Sequence, residues 1–395
     1  NNYNPELMRG DKQNIVSVAR QIHYAADKNS SVDVVLFING IPFTVIELKS
    51  ELKGQNVDDA IEQFKHTRDP HDLLFKQNVG SLMFFAVSQS SAMVTGQLEG
   101  NKTYFLPFNI ETTDNIKTEF LWRDYWTKDN LIDVLSKFIF LLTKENKKKV
   151  CLPRYHQWEC VETAEKDVLS NGPGERYLVQ HSAGSGKTLT ITWLASRLAS
   201  LHKNGESVFD KVIVVTDRKV VDKQLQDSLN DFVKTKGMAR FIGGSSRELG
   251  EALESNCRII VSTIQKFSYI QEVLKELNNK GNKSFALIID EAHSSQGGQY
   301  SNNIIEGIGD NSQIADDEED ELEQLAASPV VERASNVSFF AFTATPREKT
   351  LQLFGRWKND RFAPFHLYSM KQAIDEGFIL NVLRRDTYHK LSTSA

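Results

Sequence analysis

The stretch Tyr177-Leu-Val-Gln-His-Ser-Ala-Gly-Ser-Gly-Lys-Thr188 constrains this chain more than any other. A short apolar run leads into a glycine-bearing loop that ends in Gly186-Lys187-Thr188. An apolar pattern at helical spacing follows, with Ile191, Leu194, Ala195 and Leu198. Strand, glycine loop and helix together suit a triphosphate. Loop N–H groups and the helix N-terminus favour anions, and Gly184 and Gly186 let the backbone approach without a Cβ. Ala183, Gly184, Ser185 and Gly186 would cradle the phosphates of ATP. Lys187 would reach the β- and γ-phosphates, and the Thr188 hydroxyl would hold Mg²⁺. In one departure from the usual pattern, His181 stands where the loop's first glycine is expected. The plain alternative is an ordinary strand-to-helix turn.

Downstream residues decide against that alternative. Lys211–Thr216, Arg258–Thr263, Phe285–Asp290 and Val337–Thr343 are continuous apolar runs separated by helical patterns. Runs apolar on both faces predict a parallel sheet covered on each side, with chemistry at the carboxyl ends of its strands. Polar residues gather at those ends: Thr216, Thr263, Asp290-Glu291-Ala-His293 and Thr343-Ala-Thr345. Asp290 would hold Mg²⁺ through water, and Glu291 would orient or deprotonate the attacking water. His293 would sense the γ-phosphate and pass its state to Thr343 and Thr345. About twenty residues ahead of the loop stands Gln157, which resembles the adenine-reading glutamine that helicase-like motors often place there, with Arg154 or Tyr155 to stack on the base.

The N-terminal part offers a second cluster. Residues 11–27 read as an amphipathic helix. Val32–Ile38 and Phe43–Lys49 read as strands joined at Asn39-Gly40, a strong hairpin signal. Asp33, Glu47 and Lys49 are the charged residues in these apolar runs. A plain two-residue loop would turn Asp33 away from Glu47, whereas a three-residue loop (39–41) or one bulge would set them opposite each other, and the odd register is the expectation. The pair of carboxylates would then hold Mg²⁺, and Lys49 would orient or deprotonate a water. The bland alternative is a solvent-facing Glu–Lys pair. Residues 122–150 read as a helical connector, with Ile132, Leu135, Phe138 and Leu142 at core spacing. Lys144 to Lys149 holds four lysines, usually a solvated linker, with DNA contact as the alternative.

At 395 residues, two or three domains are expected, and 40% hydrophobic and 25% charged residues suit a globular protein. No apolar run is long enough to span a membrane, and no signal-peptide pattern opens the chain. Three cysteines without a CxxC pair argue against a disulfide framework and a zinc site and fit a reducing cytosol. The net charge of −5 arises from one acidic run, residues 316–323. Without its seven acids the balance is +2. Net charge therefore excludes no nucleic-acid partner.

Asp33…Glu47-Leu-Lys49 resembles the D…ExK signature of PD-(D/E)xK nucleases. Some of these carry Gln-x-x-x-Tyr on the next helix, where this chain has Gln63 and, in place of the tyrosine, Thr67. Gly184-Ser-Gly-Lys-Thr188, Asp290-Glu-Ala-His293 and Thr343-Ala-Thr345 resemble superfamily 2 motors of the DEAH type. That likeness implies phosphate-backbone contacts at Thr216, Arg218 and Thr263. The order of the two modules is similar to the motor and restriction subunit of type I restriction-modification enzymes, over nearly the whole chain. The implied architecture is α/β, a nuclease-like mixed sheet with flanking helices followed by a RecA-like parallel-sheet lobe. Its expected bounds are 1–121 for the endonuclease, 122–152 for the connector, 153–375 for the first motor lobe and 376–395 for the start of a linker to a second lobe. The chain is accordingly expected to be a fragment, slow in ATP hydrolysis by itself. By resemblance its partners are double-stranded DNA and modification (methyltransferase) and specificity subunits, in the cytoplasm of a bacterium or archaeon. Two rival readings are a superfamily 2 helicase with a non-catalytic N-terminal domain and a regulatory ATP-binding clamp that cuts nothing.

Overall fold

A computed structural model describes residues 13–25, 30–144, 147–216, 239–242, 246–263, 283–290 and 336–379. The N-terminal sheet runs in chain order: β1 (Val16–His23), β2 (Ser31–Ile38), β3 (Ile41–Leu48), β4 (Met83–Val87), β5 (Ala92–Thr95) and β6 (Leu106–Pro107). Its neighbours pair antiparallel except β3 and β4, which are parallel. Parallel pairing requires a crossover, and α1 (Val57–His66) supplies it. A reciprocal cap starts this helix: Asn56 Oδ1 accepts from the N–H groups of Asp58 and Asp59, and Asp59 Oδ2 accepts from that of Asn56. Ala60, Ile61 and Phe64 then bury against Val35, Val45 and Phe84 of the sheet.

The helix expected over residues 11–27 is instead strand β1. Val16, Ala19 and Ile22 are half-buried while their neighbours are exposed, so spacing by three imitated a helical face. Pairing with β2 along its whole length outweighed that pattern. The connector is helical only in part. α2 (Lys128–Asp133) lies between single π-helical turns at Leu121–Tyr125 and Val134–Phe138. After it, β7 (Phe140–Lys144) and β8 (Lys147–Cys151) form an antiparallel hairpin. Phe138 is buried as expected, but Leu135 faces solvent.

The C-terminal part runs α3 (Tyr155–Asn171), β9 (Arg176–His181), α4 (Lys187–Ala199), a two-residue ladder β10 (His202–Lys203) with β11 (Glu206–Ser207), then β12 (Lys211–Thr216) and β13 (Ala239–Phe241). Next come α5 (Ser246–Glu254), β14 (Ile259–Thr263), β15 (Phe285–Ile289), β16 (Val337–Thr343) and α6 (Glu348–Phe354). The chain closes with a hairpin of β17 (Arg356–Lys358) and β18 (Arg361–Ala363), β19 (His366–Tyr368) and α7 (Met370–Asp375). Seven parallel strands form one sheet in the order β13, β14, β12, β15, β16, β9, β19. Strand alternation sends Val179, Val214, Ile288 and Phe342 into one core with α3 and α4. Leu178, Ile213, Ile289 and Ala341 enter a second core on the other face. Both faces are covered, as the unbroken apolar runs predicted. The two short outer strands β13 and β19 had no such signal.

Candidate active sites

The Asn39-Gly40 turn has φ of +53° and +80°, the left-handed pair of a two-residue hairpin turn. Ile38 pairs Ile41 and Phe37 pairs Pro42, but Leu36 then pairs Thr44, so Phe43 is an extra residue. Beyond this bulge Val34 pairs Ile46, which sets Asp33 opposite Glu47. The expected odd register is present. Asp33 is held on both oxygens: Oδ1 accepts from Gln21 Nε2 at 3.1 Å and Oδ2 from the Leu48 N–H at 2.8 Å. Lys49 Nζ donates to Gln63 Oε1 on α1, so the four residues singled out from the sequence meet as two pairs, Asp33 opposite Glu47 and Lys49 on Gln63.

The structure adds a fifth. Arg68, just past α1, donates Nε to Glu47 Oε1 at 2.8 Å and Nη2 to the Ser31 carbonyl at 2.8 Å. Its guanidinium also lies over the Tyr24 ring, 5.6 Å from the centroid. Glu47 is fully buried, and its second oxygen, Oε2, meets no donor. Burial pushes the Glu47 carboxyl up from 4.5 to about 7. Arg68 opposes that rise, and the facing Asp33 charge adds to it. A buried carboxylate requires a cation nearby. That rule is the one sequence signal pointing to a residue such as Arg68.

The second site lies at the carboxyl ends of the parallel strands. β9 gives way to Ser182–Gly186, and α4 starts at Lys187. Gly184 and Gly186 have φ of +73° and +80°. A Cβ on Gly186 would fall 2.6 Å from Gln157 Nε2. The first turn of α3, with Arg154 just before it, grips the outside of this loop. Arg154 Nη2 donates to the Gly184 carbonyl at 3.1 Å, and His156 Nε2 lies 3.1 Å from that of Ser185. Gln157 Nε2 donates to the carbonyls of Ser185 and Gly186, at 3.3 and 3.0 Å, while its Oε1 accepts from the Arg154 N–H. Peptide groups are planar and trans, so carbonyls turned toward this strap point the N–H groups of Gly186 and Lys187 the other way.

Around the loop, Thr188 is half-buried, Ala183 is exposed and Ser185 is buried. Thr343 pairs Gln180 in register and accepts the Thr345 N–H at 3.3 Å. Asp290 is buried at the end of β15. Tyr155, one of two candidates for base stacking, lies among Phe108, Phe120 and Trp158, which leaves Arg154. The Arg154 guanidinium lies 4.0 Å from the ring centroid of Phe378, a neighbour that the sequence did not single out for the site. Thr216 needs correcting as a phosphate contact through its hydroxyl. It is fully buried between β14 and β15, because the central strand is covered to its end. Thr263 ends β14 beside it. Glu291, His293 and Arg218 lie outside the described residues.

Residues 156–395 match the family model described as SWI2/SNF2 ATPase, and the chain belongs to that family. Residues 8–103 match the model described as type I restriction enzyme R protein N terminus. Among curated relatives, the type I restriction enzyme SsaAORF53P endonuclease subunit of Staphylococcus saprophyticus is 25% identical over 93% of this chain and 36% of its own length. The HindI endonuclease subunit of Haemophilus influenzae is 24% identical over 90% of this chain and 33% of its own. With the two matches in this order, the chain is an R-subunit region of the type I restriction enzyme kind. It spans about a third of the length of these relatives. Among solved structures, the UvsW helicase from bacteriophage T4 is 15% identical over 58% of this chain and 66% of its own, with a TM-score of 0.35, a likeness too slight to bear on function.

Proposed function

We propose that this region combines a PD-(D/E)xK-type nuclease centre at Asp33, Glu47 and Lys49 with the first RecA-like lobe of an ATP-driven translocase on double-stranded DNA. The observation that carries the nuclease half is the β3 bulge. It sets two carboxylates face to face beside a lysine, where a solvent-facing Glu–Lys pair would need none of this. Glu47 Oε2, buried and without a donor, suits a divalent cation, and the all-oxygen donors Asp33 and Glu47 suit Mg²⁺. When bound, Mg²⁺ would supply Lewis-acid stabilisation of the phosphoryl transition state. Asp33 is fixed by Gln21 and Leu48, so its carboxylate need not reorganise on binding. Gln63 holds the Lys49 ammonium, which would orient the attacking water. Arg68 keeps Glu47 ionisable at neutral pH.

In the motor half the strap of Arg154 and Gln157 presents the loop N–H groups to the phosphates. Lys187 would meet the β- and γ-phosphates, Thr188 and Asp290 would hold Mg²⁺, and Glu291 would activate water. His293 would report the γ-phosphate to Thr343 and Thr345. Arg154 would meet the adenine, whereas Gln157, its amide spent on the loop carbonyls and the Arg154 N–H, is corrected from a base-reading to a loop-holding residue. The backbone at Thr216 and Thr263, with Arg218, would touch DNA phosphates, which position without reading sequence. Modification and specificity subunits would supply the sequence reading. The proposed bounds are 1–121 for the nuclease, 122–152 for the connector and 153–375 for the lobe.

The test is Mg²⁺-dependent plasmid cleavage by the full subunit in its assembled complex, comparing wild type with Asp33→Ala and Lys187→Ala. Both substitutions should abolish cleavage, and Lys187→Ala alone should abolish ATP hydrolysis. Normal cleavage by Asp33→Ala would overturn the nuclease assignment.

A further inference from the structure

Beneath the phosphate loop, three side chains from distant parts of the chain converge. Cys160 comes from α3, His181 from the end of β9 and His366 from the start of β19. The sulfur and one ring nitrogen from each histidine lie within 4.8 Å of one another. Cys160 and His181 are fully buried, and His366 is nearly so. His181 Nε2 lies 2.9 Å from His366 Nδ1. On its far side, His366 Nε2 lies 3.3 Å from Glu159 Oε2. A carboxylate there holds the proton on Nε2 and turns the Nδ1 lone pair toward His181 and Cys160.

Hydrogen bonding within the protein explains this cluster incompletely. His181 Nδ1 is buried with no partner, so the His181–His366 contact leaves one ring nitrogen unserved. Nothing in the phosphate-loop geometry requires a histidine at this place, where such loops usually carry glycine.

We propose that Cys160, His181 and His366 form a zinc site. One thiolate and two imidazoles are the borderline-soft donors that tetrahedral zinc takes, with water completing the fourth position. The Glu159–His366 contact is the outer carboxylate that orients a metal-bound histidine and raises its basicity. The site joins the strand entering the phosphate loop to α3 and to β19. From β19 the chain continues through α7 to Phe378, against Arg154. Zinc here would pin the loop's entry strand to the segment that covers Arg154. This assignment stands apart from the nuclease and motor readings, because metal content reports on it directly.

The experiment uses the whole chain, purified without chelator, with metal content read by inductively coupled plasma mass spectrometry. Wild type should carry one zinc ion per chain. Cys160→Ser and His366→Ala should carry none, and Glu159→Gln should bind zinc about 10–100-fold more weakly. A Cys151→Ser, Cys257→Ser double variant, in which Cys160 is the last thiol, should keep its zinc. Exchanged with Co²⁺, that variant should show a thiolate-to-cobalt charge-transfer band in the near ultraviolet. This last measurement decides the matter even if Cys160→Ser fails to fold. Absence of both zinc and the band in that variant, or full zinc retention by Cys160→Ser, would overturn the proposal.

Discussion

Single side chains decide how each candidate site is charged. Arg68 is the cation that lets buried Glu47 ionise at all. Glu47's folded pKa, about 7, exceeds its ordinary 4.5, so the folded chain holds that proton more tightly than the unfolded one. The stability it contributes is full below about pH 4.5 and is lost as pH rises to about 7. Replacing Arg68 with Met strands the carboxylate. Urea unfolding should show a loss of about 3–5 kcal/mol at pH 8 and a smaller loss at pH 6, where Glu47 is protonated. A loss independent of pH would show that the pair is not what Arg68 contributes. At the other site, Gly186→Ala places a Cβ against Gln157 Nε2 at φ +80°. That substitution should cost about 1–3 kcal/mol and abolish nucleotide binding measured by calorimetry. Asp33, Glu47 and Lys49 were legible because charged residues are conspicuous in apolar strands, and Gln63 only through the family resemblance. Arg68 was not, since its tie to Glu47 exists only once α1 packs on the sheet.

Elements were legible where pattern and packing agreed. The four central parallel strands announce themselves because each is buried on both faces. β1 did not, because its half-buried residues fall three apart along an edge strand. Three-residue strands such as β13 and β19 carry too little sequence to show any period, and β19 is nevertheless the strand that closes against β9. The β7–β8 hairpin was hidden by lysines that read as a solvated linker. Helix α4 sends Ile191, Trp193, Leu194, Ala195 and Leu198 into the core. Trp193 is fully buried and donates its Nε1–H to the Phe138 carbonyl at 2.8 Å. Trp193→Ala should therefore lower unfolding free energy by about 3–5 kcal/mol in denaturant titration. A change under about 1 kcal/mol would show that the connector does not lean on α4 as described.

Across the whole molecule the two sheets are not separate bodies on a tether. Phe85 of β4 meets Phe108 at 5.2 Å, Phe108 meets Tyr125 at 4.7 Å, and Tyr125 meets Trp158 of α3 at 5.1 Å. These residues belong to one continuous core that runs into the parallel sheet. Calorimetry of the chain should accordingly give one cooperative transition, and Tyr125→Ala should destabilise both halves together. Two resolved transitions, with only one moved by that substitution, would contradict a shared core. The aromatic seam has a mechanical consequence. If the proposed activities hold, blade and winch are cast in one frame, and the cutter cannot be stowed by swinging it aside. Whatever delays the cut must act on the cable, by deciding when a stretch of duplex is fed across Asp33 and Glu47.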